Sequence, residues 1–173
     1  MNKWLYALTV EEEALAAKVG WLRQEPMLGK PERNRNYSEG DIWEAWQHMV
    51  TVGSEIAAAR MLGHWDFVPH VNTFKSRQDI PGYEVRYSLS KANGHALRYR
   101  ADVDKQEEIY ILTAHGLEIK TRRSADTDWK GQPYEALGWL YGWECERPDY
   151  LVSGKSYSVP WRELNPMDNL PEQ

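Results

Sequence analysis

Apolar positions recur at helical spacing near the start of the chain. Thr9 followed three residues later by Glu12 forms a capping box, and Glu11, Glu12 and Glu13 place negative charge at the positive end of a helix dipole. A helix of about 15 residues is predicted to follow, with Leu15, Ala16, Val19 and Leu22 on its inner face. Residues 24–40 hold two Pro and two Gly with no periodicity and read as a loop. A second, longer helix begins near Ser38 or Asp41 and runs to about Leu62, where Gly63 stops it. Its later half, Gly53-Ser54-Glu55-Ile56-Ala57-Ala58-Ala59, is built of small residues that let another backbone approach. Glu55 is the one acid in that stretch, which places it near a packed or enclosed surface; the alternative is that it caps or pairs with Arg60.

Beyond Trp65 the period shortens to that of strands. The runs 68–74, 83–89, 96–100, 108–113 and 117–121 are separated by Pro81-Gly82, Asn93-Gly94 and His115-Gly116, which predicts about five short strands. An apolar segment at 136–143, an irregular stretch at 147–158 and a helical turn begun by Pro160 close the chain. Helices followed by strands, with no repeat and no dividing linker, predict one α+β domain over residues 1–173. Its N-terminal helices are expected to pack on a mixed, mostly antiparallel sheet.

Composition narrows the function classes. Hydrophobic residues at 42% and charged residues at 27% exclude a disordered tail or a collagen-like fibre. No run approaches 18 apolar residues and the N-terminus turns acidic after ten positions, so neither a membrane span nor a signal peptide is expected, and a soluble protein of the cell interior is. The single cysteine, Cys145, rules out an internal disulfide and cysteine-rich zinc. Net charge is -5, unevenly spread: residues 1–70 carry 7 Lys+Arg and 10 Asp+Glu, residues 71–125 carry 10 and 7, and residues 126–173 carry 4 and 9. The middle third is the basic part and the first place to look for phosphate contacts. The acidic last third holds Trp139, Trp143 and Trp161, rings that suit a protein contact as well as a core.

Candidate chemistry concentrates around Gln78-Asp79-Ile80-Pro81-Gly82-Tyr83-Glu84-Val85-Arg86. A Pro-Gly turn between strands sets Ile80 opposite Tyr83 and Asp79 opposite Glu84, so two acids share one face, and strand alternation returns Arg86 to it. Opposed carboxylates need a cation. Mg2+ or Mn2+ would serve, since both take one or two carboxylates plus phosphate oxygens and support phosphodiester hydrolysis. The alternative is a hairpin in which Arg86 pairs with Glu84 or Asp79. The five histidines lack HExxH or HxH spacing, and GxSxG, GxxxxGKS and GxGxxG are absent, which removes the common zinc, serine-hydrolase, kinase and dinucleotide readings.

Nearly the whole chain is similar to a group of uncharacterised phage and prophage proteins. The shared features are Leu8-Thr9-Val10-Glu11-Glu12, the helix Gly53-Ser54-Glu55-Ile56-Ala57-Ala58-Ala59, Val71-Asn72-Thr73-Phe74-Lys75 leading to Asp79 and Val85-Arg86, then Gly138-Trp139, Tyr157-Ser158-Val159-Pro160 and Leu164-Asn165-Pro166. The order Glu55, Asp79, Glu84-Val85-Arg86 also resembles the Glu, Asp, Glu-x-Lys pattern of the restriction-endonuclease-like, PD-(D/E)XK, nuclease superfamily.

That resemblance implies a restriction-endonuclease-like core and Mg2+- or Mn2+-dependent hydrolysis of DNA in the cytoplasm of a bacterial host. Asp79 and Glu84 would hold the metal with the Val85 carbonyl, Glu55 would approach the same site, and Arg86 would stabilise the transition state. Lys75, Arg77, Arg98 and Arg100 would contact phosphates. Arg86 stands where the superfamily has lysine and cannot act as a base, and the step from Asp79 to Glu84 is short. The alternative is therefore a catalytically inactive protein of the same fold that binds DNA or a host or phage protein, including a host defence protein.

Overall fold

The computed structural model describes residues 3–25, 40–71, 78–88, 94–115 and 129–172. The predicted strand at 117–121, most of the loop at 24–40, the later part of the run at 68–74, and Lys75 and Arg77 lie outside these residues.

The N-terminal capping box closes as its spacing requires. The Glu12 N–H donates to Thr9 Oγ1 at 3.3 Å, the Thr9 N–H donates to Glu12 Oε2 at 3.0 Å, and helix α1 runs Val10–Gln24. Helix α2, Gly40–Met61, packs along α1. The two backbones meet at Gly20, where an added Cβ would lie 2.5 Å from the Met49 backbone. Further along α2, Gly53 makes room for the Tyr134 ring, whose hydroxyl donates to the Val50 carbonyl at 3.1 Å. The small-residue half of α2 therefore serves close approach, with Ala57, Ala58 and Ala59 fully enclosed.

The strands form two sheets. Strands β1 (Leu5–Tyr6), β2 (Tyr83–Tyr87), β4 (Ile109–His115) and β5 (Tyr134–Tyr141) make one, in the order β1-β5-β4-β2, with β2 parallel to β4 and the other pairs antiparallel. Strands β3 (Ala96–Arg100), β6 (Leu151–Ser153) and β7 (Ser156–Pro160) make an antiparallel second sheet in the order β3-β7-β6. A single sheet of about five strands is thus replaced by sheets of four and three, and residues 68–71 are no strand. One short helix, α3 (Gly142–Cys145), follows β5.

All seven residues of β4 are buried because both faces of the larger sheet are covered. Ile109 and Ile111 join Tyr83, Val85 and Trp139 against Ala58 and Ala59 of α2. Tyr110 and Leu112, pointing the other way, join Leu97, Tyr99 and Val159 of the smaller sheet. The molecule is α+β in three layers: helices, four strands, three strands. Among the described residues no helix is long and apolar enough to cross a membrane.

At the end of β4, His115 is buried between Tyr87 and Tyr134, with the Tyr87 hydroxyl 2.9 Å from its Nδ1. Burial pushes this imidazole down to about 4. The unfolded chain takes up that proton near pH 6.5, so stability is complete above that value and falls as pH drops toward 4. The loss should be on the order of 3 kcal/mol. Urea unfolding across this range should show a pH slope that His115→Gln flattens. An equal slope in the variant would place the titration elsewhere.

Gly20→Ala gains helix propensity of about 1 kcal/mol but drives a methyl into backbone that cannot rotate away. A net loss of about 2 kcal/mol is expected by denaturant unfolding. A neutral result would show that the helices can separate freely.

Candidate functional site

The turn at Pro81-Gly82 forms as its sequence dictates. Gly82 takes φ 88°, and Ile80 and Tyr83 exchange backbone hydrogen bonds of 3.1 and 2.9 Å. Instead of facing Glu84, however, the Asp79 carboxylate accepts the Val85 N–H through Oδ2 at 3.0 Å along the free edge of β2. Glu84 and Arg86 do share a face, the one turned toward the smaller sheet. Arg86 lies over the Tyr110 ring at 5.1 Å and donates to Asp104 at 2.6 Å and Glu84 at 3.3 Å. The hairpin ion pair is present, strengthened by an aspartate from the turn after β3.

Glu55 lies in the helix layer and pairs with Arg23 of α1, not with Arg60. Its two carboxylate oxygens accept from the two terminal guanidinium nitrogens at 2.7 and 2.8 Å, with both side chains about 5% exposed. The structure thus sends the predicted residues to three places: Glu55 into the helix pair, Asp79 to the sheet edge, and Glu84 with Arg86 to the opposite face. Among the described residues no group of three or more His, Cys, Asp or Glu is arranged to hold a metal ion. The set Glu55, Asp79 and Glu84 does not fit one: both Glu55 oxygens are engaged by a cation, and the sheet separates Glu84 from the helix layer.

Of the basic residues of the middle third, Arg86, Arg98, Arg100 and Lys105 lie among the described residues, and three of these four pair with acids of the same third. Arg86 pairs with Asp104 and Glu84, Arg100 with Asp102 at 3.0 Å, and Lys105 with Glu108 at 2.7 Å. Arg98 stands exposed on β3 without an ion-pair partner among the described residues.

A different site emerges at the C-terminus of α2. Gly63, at φ 85°, ends the helix with the His64 N–H on the Ala59 carbonyl and the Gly63 N–H on that of Arg60, a Schellman closure. The loop that follows is held at both ends by glutamate-supported arginines. Arg60 donates its Nε to Glu12 Oε1 and a terminal nitrogen to the His64 carbonyl, each at 2.7 Å. Arg23, supported by Glu55, donates its Nε to the His70 carbonyl at 2.7 Å. Between these anchors Trp65 and Val68 are each 66% exposed. A cleft of about 390 Å³ lies against the loop, lined by His64, Asp66, Phe67, Val68 and His70 and, across from them, Gln78, Asp79 and Pro81.

Arg23, Arg60 and the loop were not candidates on sequence grounds. Their signal is tertiary, since the arginines meet acids and carbonyls from distant parts of the chain. Among the described residues, Asp79 is the one predicted residue that lines the cleft. No protein-family model, curated protein or solved structure matches this chain.

The anchoring role of Glu55 is measurable. Glu55→Gln leaves a buried guanidinium against a neutral amide and should cost about 3–5 kcal/mol. A double variant, Arg23→Met with Glu55→Leu, should recover most of that stability yet leave the His70 carbonyl unheld. Chymotryptic cleavage after Trp65 or Phe67 should then be faster than in the wild type even where stability is restored. Unchanged cleavage in the double variant would show that the loop does not depend on this anchor.

Proposed function

We propose that the chain is a phage-type protein with a restriction-endonuclease-like core that works in the bacterial cytoplasm by binding a protein and does not cut DNA. The observation that carries this reading is the bidentate Arg23–Glu55 pair. Glu55 was the helix acid of the nuclease pattern, and here its charge is spent within the protein, on an arginine that also fixes a loop. Arg86, the cation of that pattern, is likewise committed to Asp104 and Glu84. Glu55, Asp79, Glu84 and Arg86, the four residues of the nuclease pattern itself, each have a partner within the protein. Neutralisation of Arg86, Arg100 and Lys105 by their own acids weakens the case for a phosphate-binding stripe, while exposed Trp65 and Val68 on an anchored loop favour a protein contact.

A second reading, DNA hydrolysis with Mg2+ or Mn2+, is favoured by one observation: Asp79 and Asp66 line the same cleft, and hard oxygen ligands of this kind suit those ions. Incubation of the purified protein with supercoiled plasmid and with single-stranded circular DNA, in Mg2+, in Mn2+ and in EDTA, separates the two. The binding reading expects intact DNA in every condition. Metal-dependent nicking that disappears in Asp79→Asn would overturn it and establish the hydrolytic reading.

A further inference from the structure

The loop at 64–71 is solvent-facing, apolar and fixed in place, a combination that ordinary connecting loops lack. A mobile loop could hide Trp65 and Val68 by folding them inward, but the two arginine anchors at the His64 and His70 carbonyls oppose this. Trp65 is further held by the edge of Tyr6 at 6.3 Å and by Arg60 at 5.8 Å, and it still remains 66% exposed. Val71, at 47% exposure, extends the apolar surface beyond the second anchor. Rigid aromatic and branched side chains held out of the core are what an interface needs at its centre, because little conformational entropy is left to lose on binding.

The cleft behind these residues selects the partner's chemistry. Phe67, Val68 and Pro81 form apolar walls, and Asp66 is an exposed acid on the loop itself. No Lys or Arg side chain lines the cleft among the described residues, and the two arginines next to it are turned onto Glu12 and Glu55. A volume near 390 Å³ falls at the lower end of ordinary ligand pockets, room for one or two side chains rather than a folded domain. Phosphate would meet Asp66 unfavourably. A guanidinium would find the Asp66 carboxylate to bind.

Building on the protein-binding reading above, we propose that this loop and cleft receive a segment of a partner protein that presents an arginine between apolar side chains. The arginine enters the cleft toward Asp66, and the flanking apolar residues cover Trp65, Val68 and Val71.

The probes are a blocked pentapeptide of sequence Ala-Leu-Arg-Val-Ala and its counterpart with Glu in place of Arg, titrated into the full chain and followed by the Trp65 indole N–H and the Val68 and Val71 amides in nitrogen-15 NMR. The arginine peptide should shift these resonances and bind about tenfold more tightly than the glutamate peptide at low salt. Asp66→Asn should weaken binding by about threefold to fivefold, and Trp65→Ala should abolish it. Both side chains are exposed, so the variants should keep the wild-type fold, which the rest of the spectrum reports. Equal binding of the two peptides, binding of neither, an unaltered affinity in Asp66→Asn, or shifts confined to another surface would each overturn the proposal. A short single-stranded oligonucleotide that shifts the same resonances without metal would overturn it too. Plasmid cleavage would refute only the non-cutting reading, since the peptide titration reports on the loop independently.

Discussion

A guanidinium removed from water must satisfy its charge and its N–H donors inside the protein, and Arg23 directs three of its five so that they join three separate parts of the chain. Its terminal nitrogens hold Glu55, which fixes α1 to α2, and its Nε holds the His70 carbonyl, which fixes the segment leading away from the helices. Arg60 repeats the arrangement one step away, with Glu12 as its acid and the His64 carbonyl as its third point. Glu12 is the same residue that closes the N-terminal capping box. A buried pair of this kind gives little net stability over a well-packed apolar pair of the same volume. What it adds is position: hydrophobic packing alone would leave the loop at 64–71 free to choose among conformations.

The three layers follow from a similar economy of constraint. With β4 covered on both faces, every residue along it must be accommodated in a core, and alternation distributes them: isoleucines to the helices, Tyr110 and Leu112 to the smaller sheet. The same alternation along β2 sends Tyr83 and Val85 to the helix side and leaves Glu84 and Arg86 facing the smaller sheet. Charges there can persist only if paired, which is why Asp104 and the Tyr110 ring converge on Arg86. Glu84 and Arg86 thus stand on the face that the second sheet covers, while Glu55 stands in the helix layer.

Local chemistry was legible in the sequence and tertiary pairing was not. The Thr9–Glu12 box, the stop at Gly63 and the Pro81-Gly82 turn each depend on residues within a few positions, and each forms as its spacing implies. The close approach promised by the small half of α2 is realised at Gly53. By contrast, a partner for Glu55 could not be chosen from spacing: Arg60 sits on the same helix and was the natural choice, yet Arg23 lies 32 residues away and took the contact. Asp79 shows the same limit at shorter range. Its backbone position was foreseeable, but a free N–H on the sheet edge competes for a carboxylate as effectively as an ion does, and Val85 supplied one. The second sheet was missed for a related reason, since β3 and β7 are distant in sequence and nothing in either strand names its partner.

The sign of charge in the cleft at 64–71 is what joins the two functional readings. Carboxylates beside a bound divalent ion attract phosphate, because the ion's charge outweighs theirs; the same carboxylates without it repel phosphate and attract a guanidinium. A protein built as a nuclease needs its acids arranged so that an ion binds before the substrate does. Here Glu55 is held by Arg23 and Glu84 is on the far side of the sheet, so the acids that line the cleft among the described residues are Asp66 and Asp79, where a closed coordination set would ask for more. The resemblance to a nuclease pattern and the proposed guanidinium site are therefore not in conflict: the one rests on the order of acids along the chain, the other on where those acids find their partners in space.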